Sequence, residues 1–469
     1  MDLKRKLARL GAPGPAAQPA PPPPQPVVSA VDLERRERIA RLRATIDRLE
    51  SRDRVAMRAA PRPAPTKTPL PGTLDETPHG PLHRVVQYLP PAHHHGRIGI
   101  ARALEVRSEI AAALALDPAL DGVDLRKMLL LDTETTGLSG GTGTLPFLIG
   151  MAWFEDESLR VEQLFLRRPG EERPLLARLA ERIAESSCIV TYNGKSFDWP
   201  LLRTRAVLNR VPVPTPRAHL DLLHCARRVF ARRLGQVRLV QIETEVLGMR
   251  RERDVDGAEI PHLYWDFVRG AEGSVITPVI EHNANDLVAL AALLATLGER
   301  WEDVLPAHEP EDRLGIARVA LRHGDLDRAA RFAEAAASGG GDAEVTVDAL
   351  LVASSAARAR AQHDEVLRLL RDALDAAPDD ARRAGLHLAL AKHLEHRTRD
   401  PAAALAHAGR TAAVEGEDAC AKRVARLAKK RERDEQREAK RAAREAKRAA
   451  RALALPLERT TPKSERERN

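Results

Sequence analysis

The feature that most restricts the fold is a pair of short, uninterrupted apolar runs. Met128–Leu131 ends on Asp132 and Glu134, and Leu145–Phe154 follows after the turn-forming residues LSGGTG. Apolar runs of this length bounded by turn signals predict buried strands, and the glycines between them suit a hairpin. Leu159, Val161, Leu164 and Leu166 then alternate with polar residues, which predicts a third strand. Leu175, Leu176, Leu179 and Ile183 recur at helical spacing, Cys188–Thr191 reads as a further buried strand, and Ser196–Leu208 reads as a helix. Thr277–Gly298 reads as a long helix with Val279, Ile280, Leu287, Leu290 and Leu294 as its apolar positions. A meander of three strands followed by helix, strand and helix predicts an α/β domain over residues 121–300, with a mixed sheet flanked by helices.

The rest of the chain divides around this domain. Residues 1–80 hold proline runs such as PAPPPPQP and read as disordered linker with one polar helix near Val31–Arg52. Residues 81–120 read as a lead-in, in which His93, His94 and His95 fit either a flexible polar segment or a metal-binding trio. Residues 310–415 are rich in Ala and Leu and read as helical. Helix starts at Asp325, Gln362 and Asp400 lie 37 and then 38 residues apart, and each is followed four positions on by Ala329, Val366 or Ala404. That pattern resembles a degenerate tetratricopeptide array of stacked helix pairs, and a plain helical bundle fits it as well. Aromatic residues make up only 3% of the 469, so the core must be built mostly from Leu, Ala and Val. Cys188, Cys225 and Cys420 have neither paired number nor CxxC spacing, so no disulfide framework or zinc knuckle is implied. Neither a secretory leader nor an apolar run of about 20 residues is found, so a soluble, cytoplasmic protein without membrane contact is expected.

The net charge of +8 is concentrated. Residues 422–451 carry 14 Lys/Arg against 5 Asp/Glu, so the tail from 420 to 469 accounts for the excess. Residues 203–238 carry nine arginines and one acid, Asp221. Both stretches fit a polyanion partner, with Arg203 and Arg205 as candidate phosphate contacts. Both also fit a chain rich in Ala and Arg with solvated charged faces.

The glycines after Glu134 do not form a phosphate loop of the GxxxxGK[ST] kind. Gly143 is followed by Thr144-Leu145-Pro146 and a strand, where Lys, a hydroxyl and a helix are needed. The acids carry more. Asp132 and Glu134 are two apart on a strand and therefore share a face. Carboxylates this close raise each other's pKa unless a cation lies between them. Alone they also read as a solvated turn. Asp198 stands at the start of a helix, where the dipole favours an anion. His282 and Asp286, four apart, share one face of the last helix.

Together DTET, then NxxxFD, then HNAND, in this order on this strand–helix pattern, resembles the DEDD exonucleases of the ribonuclease H-like superfamily. Within it the chain is similar to the YprB-like group, through HLDLLHCARRVF (219–230), IETEVLG (242–248), EIPHLYWDF (259–267) and the trailing LAKHLEHRTRDPAAAL. The resemblance covers roughly residues 125–298 and implies a ribonuclease H-like sheet. It implies Asp132, Glu134, Asp198 and Asp286 as ligands of two Mg²⁺ or Mn²⁺ ions, and His282 as the residue that positions or deprotonates the attacking water. DEDD enzymes with a histidine usually place it five residues before the last Asp. Here it is four before, the spacing of the tyrosine variants, and the YprB-like group shares that combination.

The expected function is therefore a metal-dependent nuclease acting on RNA or DNA, releasing nucleotides from a 3′ end. Thr135, Gly137, Asn193, Arg203 and Arg205 are the candidate substrate contacts, and the glycine-rich hairpin gives the terminal nucleotide room. Tyr192 or Phe197 is a candidate to stack on a base, with a core role the stronger expectation for Phe197. A nucleic-acid-binding scaffold whose repeats recruit a protein partner is the alternative, and endonucleolytic cleavage is a third reading because the fold does not fix the reaction.

Overall fold

In the computed structural model, which describes residues 70–137, 143–252, 254–305 and 307–453, the apolar runs pair into one seven-stranded sheet. In chain order the elements are β1 (Thr73–Thr77), β2 (Gly80–Leu89), β3 (His94–His95), β4 (Ile98–Gly99), α1 (Ser108–Ala115), β5 (Met128–Thr135), β6 (Pro146–Glu155) and β7 (Ser158–Phe165). There follow α2 (Glu172–Glu185), β8 (Cys188–Thr191), α3 (Asp198–Asn209), β9 (His219–Asp221), α4 (Leu222–Leu234), α5 (Ile260–Val268) and α6 (Thr277–Glu302). The sheet order is β1-β2-β7-β6-β5-β8-β9. β5, β6 and β7 form the expected antiparallel meander, and β8 and β9 add in parallel to its other side. This is the expected mixed sheet flanked by helices.

Side chains of β5 alternate between two cores. Met128 and Leu130 face α1, α4 and α6, whereas Leu129 and Leu131 face the layer of α2 and α5. The strand is therefore buried on both sides, which explains why its sequence is a continuous apolar run rather than an alternation.

Three expectations need correction. The boundary at residue 80 fails, because β1 and β2 form a hairpin across it and β2 pairs with β7. These two strands, at and next to the sheet edge, are half solvated, so they lack the apolar run that marks β5 and β6. The histidine trio is not a loose segment: His94 and His95 form β3, and His95 Nε2 lies 2.7 Å from the buried carboxylate of Glu243. The arginines of 203–238 are not one basic face. Arg205 is buried against Glu172, Arg228 donates to Leu114 O, and Arg232 and Arg233 pair with Asp348 and Asp312. They join elements of the fold, and Arg203 is among those left at the surface. The polar helix near Val31–Arg52, the proline-rich linker and the middle of the glycine-rich hairpin (138–142) lie outside the described residues.

Beyond α6 the described chain is helical: α7 (Pro310–His323), α8 (Leu326–Ala337), α9 (Ala343–Ala359), α10 (His363–Ala376), α11 (Asp380–His393), α12 (Pro401–Ala408) and α13 (Glu417–Leu453). Asp325, Gln362 and Asp400 are the caps of α8, α10 and α12. Ala329, Val366 and Ala404 are all fully buried, so the repeated sequence positions are repeated packing positions. The core of α7–α11 is continuous with that of α4 and α6. Asp312, on α7, ties the two regions through Arg233 and Arg300. Among the described residues, no helix is long and apolar enough to cross a membrane.

Candidate metal centre

At its carboxyl end β5 runs out of apolar residues while keeping its alternation. Asp132 and Glu134 continue the face of Met128 and Leu130, towards α6, and Thr133 continues the opposite face. The two helices that reach this end come from opposite sides of the sheet. α6 brings His282, Asn283 and Asp286 over Asp132 and Glu134. α3 begins at Asp198, whose Oδ1 accepts a hydrogen bond from Thr133 Oγ1. The site thus lies where the antiparallel meander gives way to the parallel strands, at the carboxyl edge that α/β sheets commonly use for ligands.

Asn283 sets the registry of α6 on the sheet. It is fully buried, donates to Asp132 Oδ2 at 2.7 Å, and accepts from Gln163 Nε2 at 2.8 Å. Between these partners lies Gly150, paired with Asp132 on β5 and with Gln163 on β7. A Cβ at Gly150 would fall 2.1 Å from Asn283 Oδ1. The glycine is what lets the amide cross the sheet surface to reach the acid.

The loop before Asp198 is also held. Asp221, buried at the end of β9, accepts from Asn193 N at 2.8 Å, Lys195 N at 3.1 Å and Leu223 N at 3.1 Å. Asn193 has φ 68°, and a Cβ at Gly194 would meet the Thr191 side chain at 2.5 Å, so this tight turn needs its asparagine and glycine. Tyr192 is engaged in the fold, its hydroxyl donating to Val237 O. Phe197 is 48% exposed beside Asp198. The expected core role for Phe197 is thereby reversed: of the two aromatics, Phe197 is the one on the surface.

Ligand atoms of Glu134, His282 and Asp286 all lie within 4.8 Å of one another. His282 Nε2 is 3.7 Å from Asp286 Oδ2 and 4.0 Å from Glu134 Oε1, while its Nδ1 is 2.6 Å from Asp254 Oδ1. Arg251, 4% exposed, closes the cluster. Its guanidinium pairs with Asp286, with Glu243 at 2.8 Å and with Asp254 at 3.2 Å. Glu243 is in turn the partner of His95, so a buried chain of polar contacts runs from β3 through Glu243 and Arg251 to the last acid.

The electrostatics follow from this crowding. Burial, then Asp286, Glu134 and Asp198, hold the Asp132 carboxyl well above its usual range. Burial pushes Glu134 up to about 8, with Asp286 and Asp198 adding to the effect and His282 and Arg251 opposing it. Asp198 is pushed up to about 6 by burial, against the Thr133 hydrogen bond. Burial raises Asp286 despite Arg251 and His282. Burial alone would lower His282, but Asp286, Glu134 and Asp254 outweigh it and raise its pKa. Four acids held this way are short of positive charge. All four offer oxygen donors, the set that hard divalent cations such as Mg²⁺ and Mn²⁺ prefer.

The structure thus gathers Asp132, Glu134, Asp198, His282 and Asp286 at one end of the sheet. Thr135 and Gly137 follow on the same strand end, where Thr135 Oγ1 donates to Gly137 O, and Asn193 lies in the loop before Asp198. Arg205 is excluded by its pair with Glu172, and Arg203 lies exposed on α3. Sequence reasoning missed Asn283, Gln163, Arg251 and Asp254. Asn283 stands inside the HNAND stretch, and a buried amide between two ligand positions was a signal. Arg251 and Asp254 sit in a polar loop that carries no pattern.

This sheet order is that of a ribonuclease H-like fold, and comparison with known proteins agrees on the fold. Residues 129–298 match the family model of the RNase H superfamily and form a domain of that superfamily. The uncharacterized protein YprB of Bacillus subtilis (strain 168) is 33% identical over 259 residues, covering 54% of this chain. The chain spans 62% of that relative's length.

Proposed function

We propose that the domain is a metal-dependent nuclease that hydrolyses phosphodiester bonds from a 3′ end. The observation that carries this reading is the convergence of four carboxylates from three separate segments on one end of β5. Asp132, Glu134, Asp198 and Asp286 would hold two divalent cations, Mg²⁺ or Mn²⁺. Bound there, such ions supply an activated water and charge stabilisation for the leaving oxygen at one phosphodiester.

The chain's own residues do the rest. Asn283 and Thr133 fix one oxygen each of Asp132 and Asp198. Asp254 holds His282 Nδ1, so the ring turns Nε2 towards Glu134 and Asp286, where it can take the proton of the attacking water. Water adds its oxygen to phosphorus, the bond to the 3′ oxygen breaks, that oxygen takes up a proton to become the new 3′ hydroxyl, and a nucleoside 5′-monophosphate leaves. Exposed Phe197, with Thr135, Gly137 and Asn193, forms the substrate side, and Phe197 stacks on the terminal base. The helical region serves as tetratricopeptide-like repeats for a protein partner.

The test is the purified full chain with Mg²⁺ or Mn²⁺ on end-labelled single- and double-stranded DNA and RNA, beside Asp132→Asn. A ladder shortening from the 3′ end, absent in the variant, is the expected result. Cleavage of no substrate, or cleavage indifferent to Asp132→Asn, overturns it, and internal cuts replace the exonuclease with an endonuclease.

A further inference from the structure

The charge of the tail is not merely high but sorted. α13 runs unbroken from Glu417 to Leu453. Its first half is docked: Leu427 is fully buried, Cys420 nearly so, and Arg426 and Lys430 pair with Glu395 of the helical region. From 431 onward almost every residue is exposed. At about 100° per residue, Lys429, Arg433, Lys440, Arg444, Lys447 and Arg448 fall within one sector of about 100°. All six are exposed, and none has an ion pair among the described residues. The acids of this stretch, Glu432, Asp434, Glu435, Glu438 and Glu445, all lie outside that sector.

This sorting works against the helix itself. Like charges three and four apart, such as Lys440 with Arg444 and Arg444 with Lys447 and Arg448, destabilise a helix. A merely solvated helix gains by interleaving acids with bases, as Arg431–Glu435 and Arg441–Glu445 do on the flanks. A stripe that excludes every acid is instead complementary to an extended polyanion. From Lys429 to Arg448 it is about 29 Å long at 1.5 Å per residue, with a cation about every 6 Å on average, and nucleic acid presents phosphates at least that densely. A bilayer fits poorly. An interfacial helix needs bulky apolar residues opposite its cations, and here that side carries Ala439, Ala442, Ala446 and Ala449.

We propose that the projecting half of α13 is a nucleic-acid-binding arm, which holds the phosphate backbone along this stripe without reading sequence. Its anchor on Glu395 fixes the arm to the helical region, so the arm is a rigid extension rather than a loose tail. The inference rests on the placement of charge and holds whether or not the acid cluster cleaves.

The test uses the full chain carrying Asp132→Asn in EDTA, so that binding is read without cleavage. Affinity for single- and double-stranded DNA and RNA oligonucleotides is measured across a salt series. Combining Arg433→Gln, Lys440→Gln, Arg444→Gln and Lys447→Gln should weaken binding at least about tenfold at low salt. The slope of log affinity against log salt should fall by about three, because each phosphate that the arm ceases to neutralise removes about 0.7–0.9 from it. Circular dichroism checks that the helix persists, and the charge-preserving pair Arg433→Lys with Arg444→Lys should retain binding. Neutralising Glu435, Glu438 and Glu445 to Gln should tighten binding. Affinity and slope unmoved by the fourfold variant overturn the proposal, as does binding to phosphatidylserine vesicles without binding to nucleic acid. A chain that cleaves with an unmoved slope refutes the arm alone, and one that binds through the stripe but never cleaves refutes the nuclease alone.

Discussion

Two buried acid sites in this molecule are built in opposite ways. At the end of β5, Asp132, Glu134, Asp198 and Asp286 face one another, with His282 and Arg251 opposing them among the described residues, and all four are held above the usual carboxylate range. In the helical region Glu395, 1% exposed at its side chain, meets Arg426, Lys430 and Arg423, and its pKa is held down at about 2, chiefly by the Arg426 hydrogen bond. Burial is common to both; partner supply is not. A structural carboxylate is surrounded by enough cations to stay ionised. A functional cluster is left short of positive charge, and that shortage is what a divalent ion can fill.

The sharpest way to break this comparison is at Asp221, which is buried yet belongs to neither type because it is satisfied by backbone amides. Asp221→Ala strips three N–H groups of their acceptor and should cost about 2–4 kcal/mol, read as a fall in Tm. It should also weaken Mn²⁺ binding measured by calorimetry, because the loop carrying Asp198 is released. A stable variant with unchanged Mn²⁺ affinity would mean that the loop is held by something else. Next in size is Gly150→Ala, which pushes Asn283 off Asp132 and should cost about 1–3 kcal/mol, while the protection that Mn²⁺ gives against thermal unfolding shrinks. If Mn²⁺ still stabilises the variant as it does the parent, Asn283 does not orient the acid.

The smallest effect is expected at the satisfied site. Glu395→Gln should loosen α13 by about 1 kcal/mol, since its cationic partners are partly solvated. The folded-state pKa of Glu395 lies below its ordinary 4.5, so its contribution is present above that pH and is lost as pH falls towards about 2. Hydrogen exchange along α13 should therefore quicken over that window in the parent and not in Glu395→Gln. An identical acid response in both would assign the effect to other groups.

What can be read from the sequence is local. Met128–Leu131 announces a strand buried on both faces, and the spacings of Asp132 with Glu134 and of His282 with Asp286 each place two groups on one face. Asp325 and Asp400 mark helix starts because an N-terminal cap is a short-range device, each accepting from a backbone N–H three residues on. What escapes is set by distant partners. Arg205 reads as a phosphate contact, yet Glu172, 33 residues away, takes its guanidinium. Arg251 reads as one more surface arginine, and only the fold brings it to Asp286, Glu243 and Asp254. The β1–β2 hairpin leaves no trace because its half-solvated strands carry no apolar run. Hydrophobicity points Phe197 to the core, but its place at the mouth of a tight turn leaves it outside.

The contact between Gly150 and Asn283 has a consequence for how this domain can change over time. The glycine exists to admit the amide, and the amide has its partners only if the glycine is there. Neither position can drift alone: enlarging the first evicts the second, and truncating the second takes the amide away from both Gln163 and Asp132 and opens a space above the sheet. The two form a single heritable unit spread over a strand and a helix that are 133 residues apart (283 − 150). Substitutions at them should therefore be strongly non-additive, and variants of this domain should change both positions or neither.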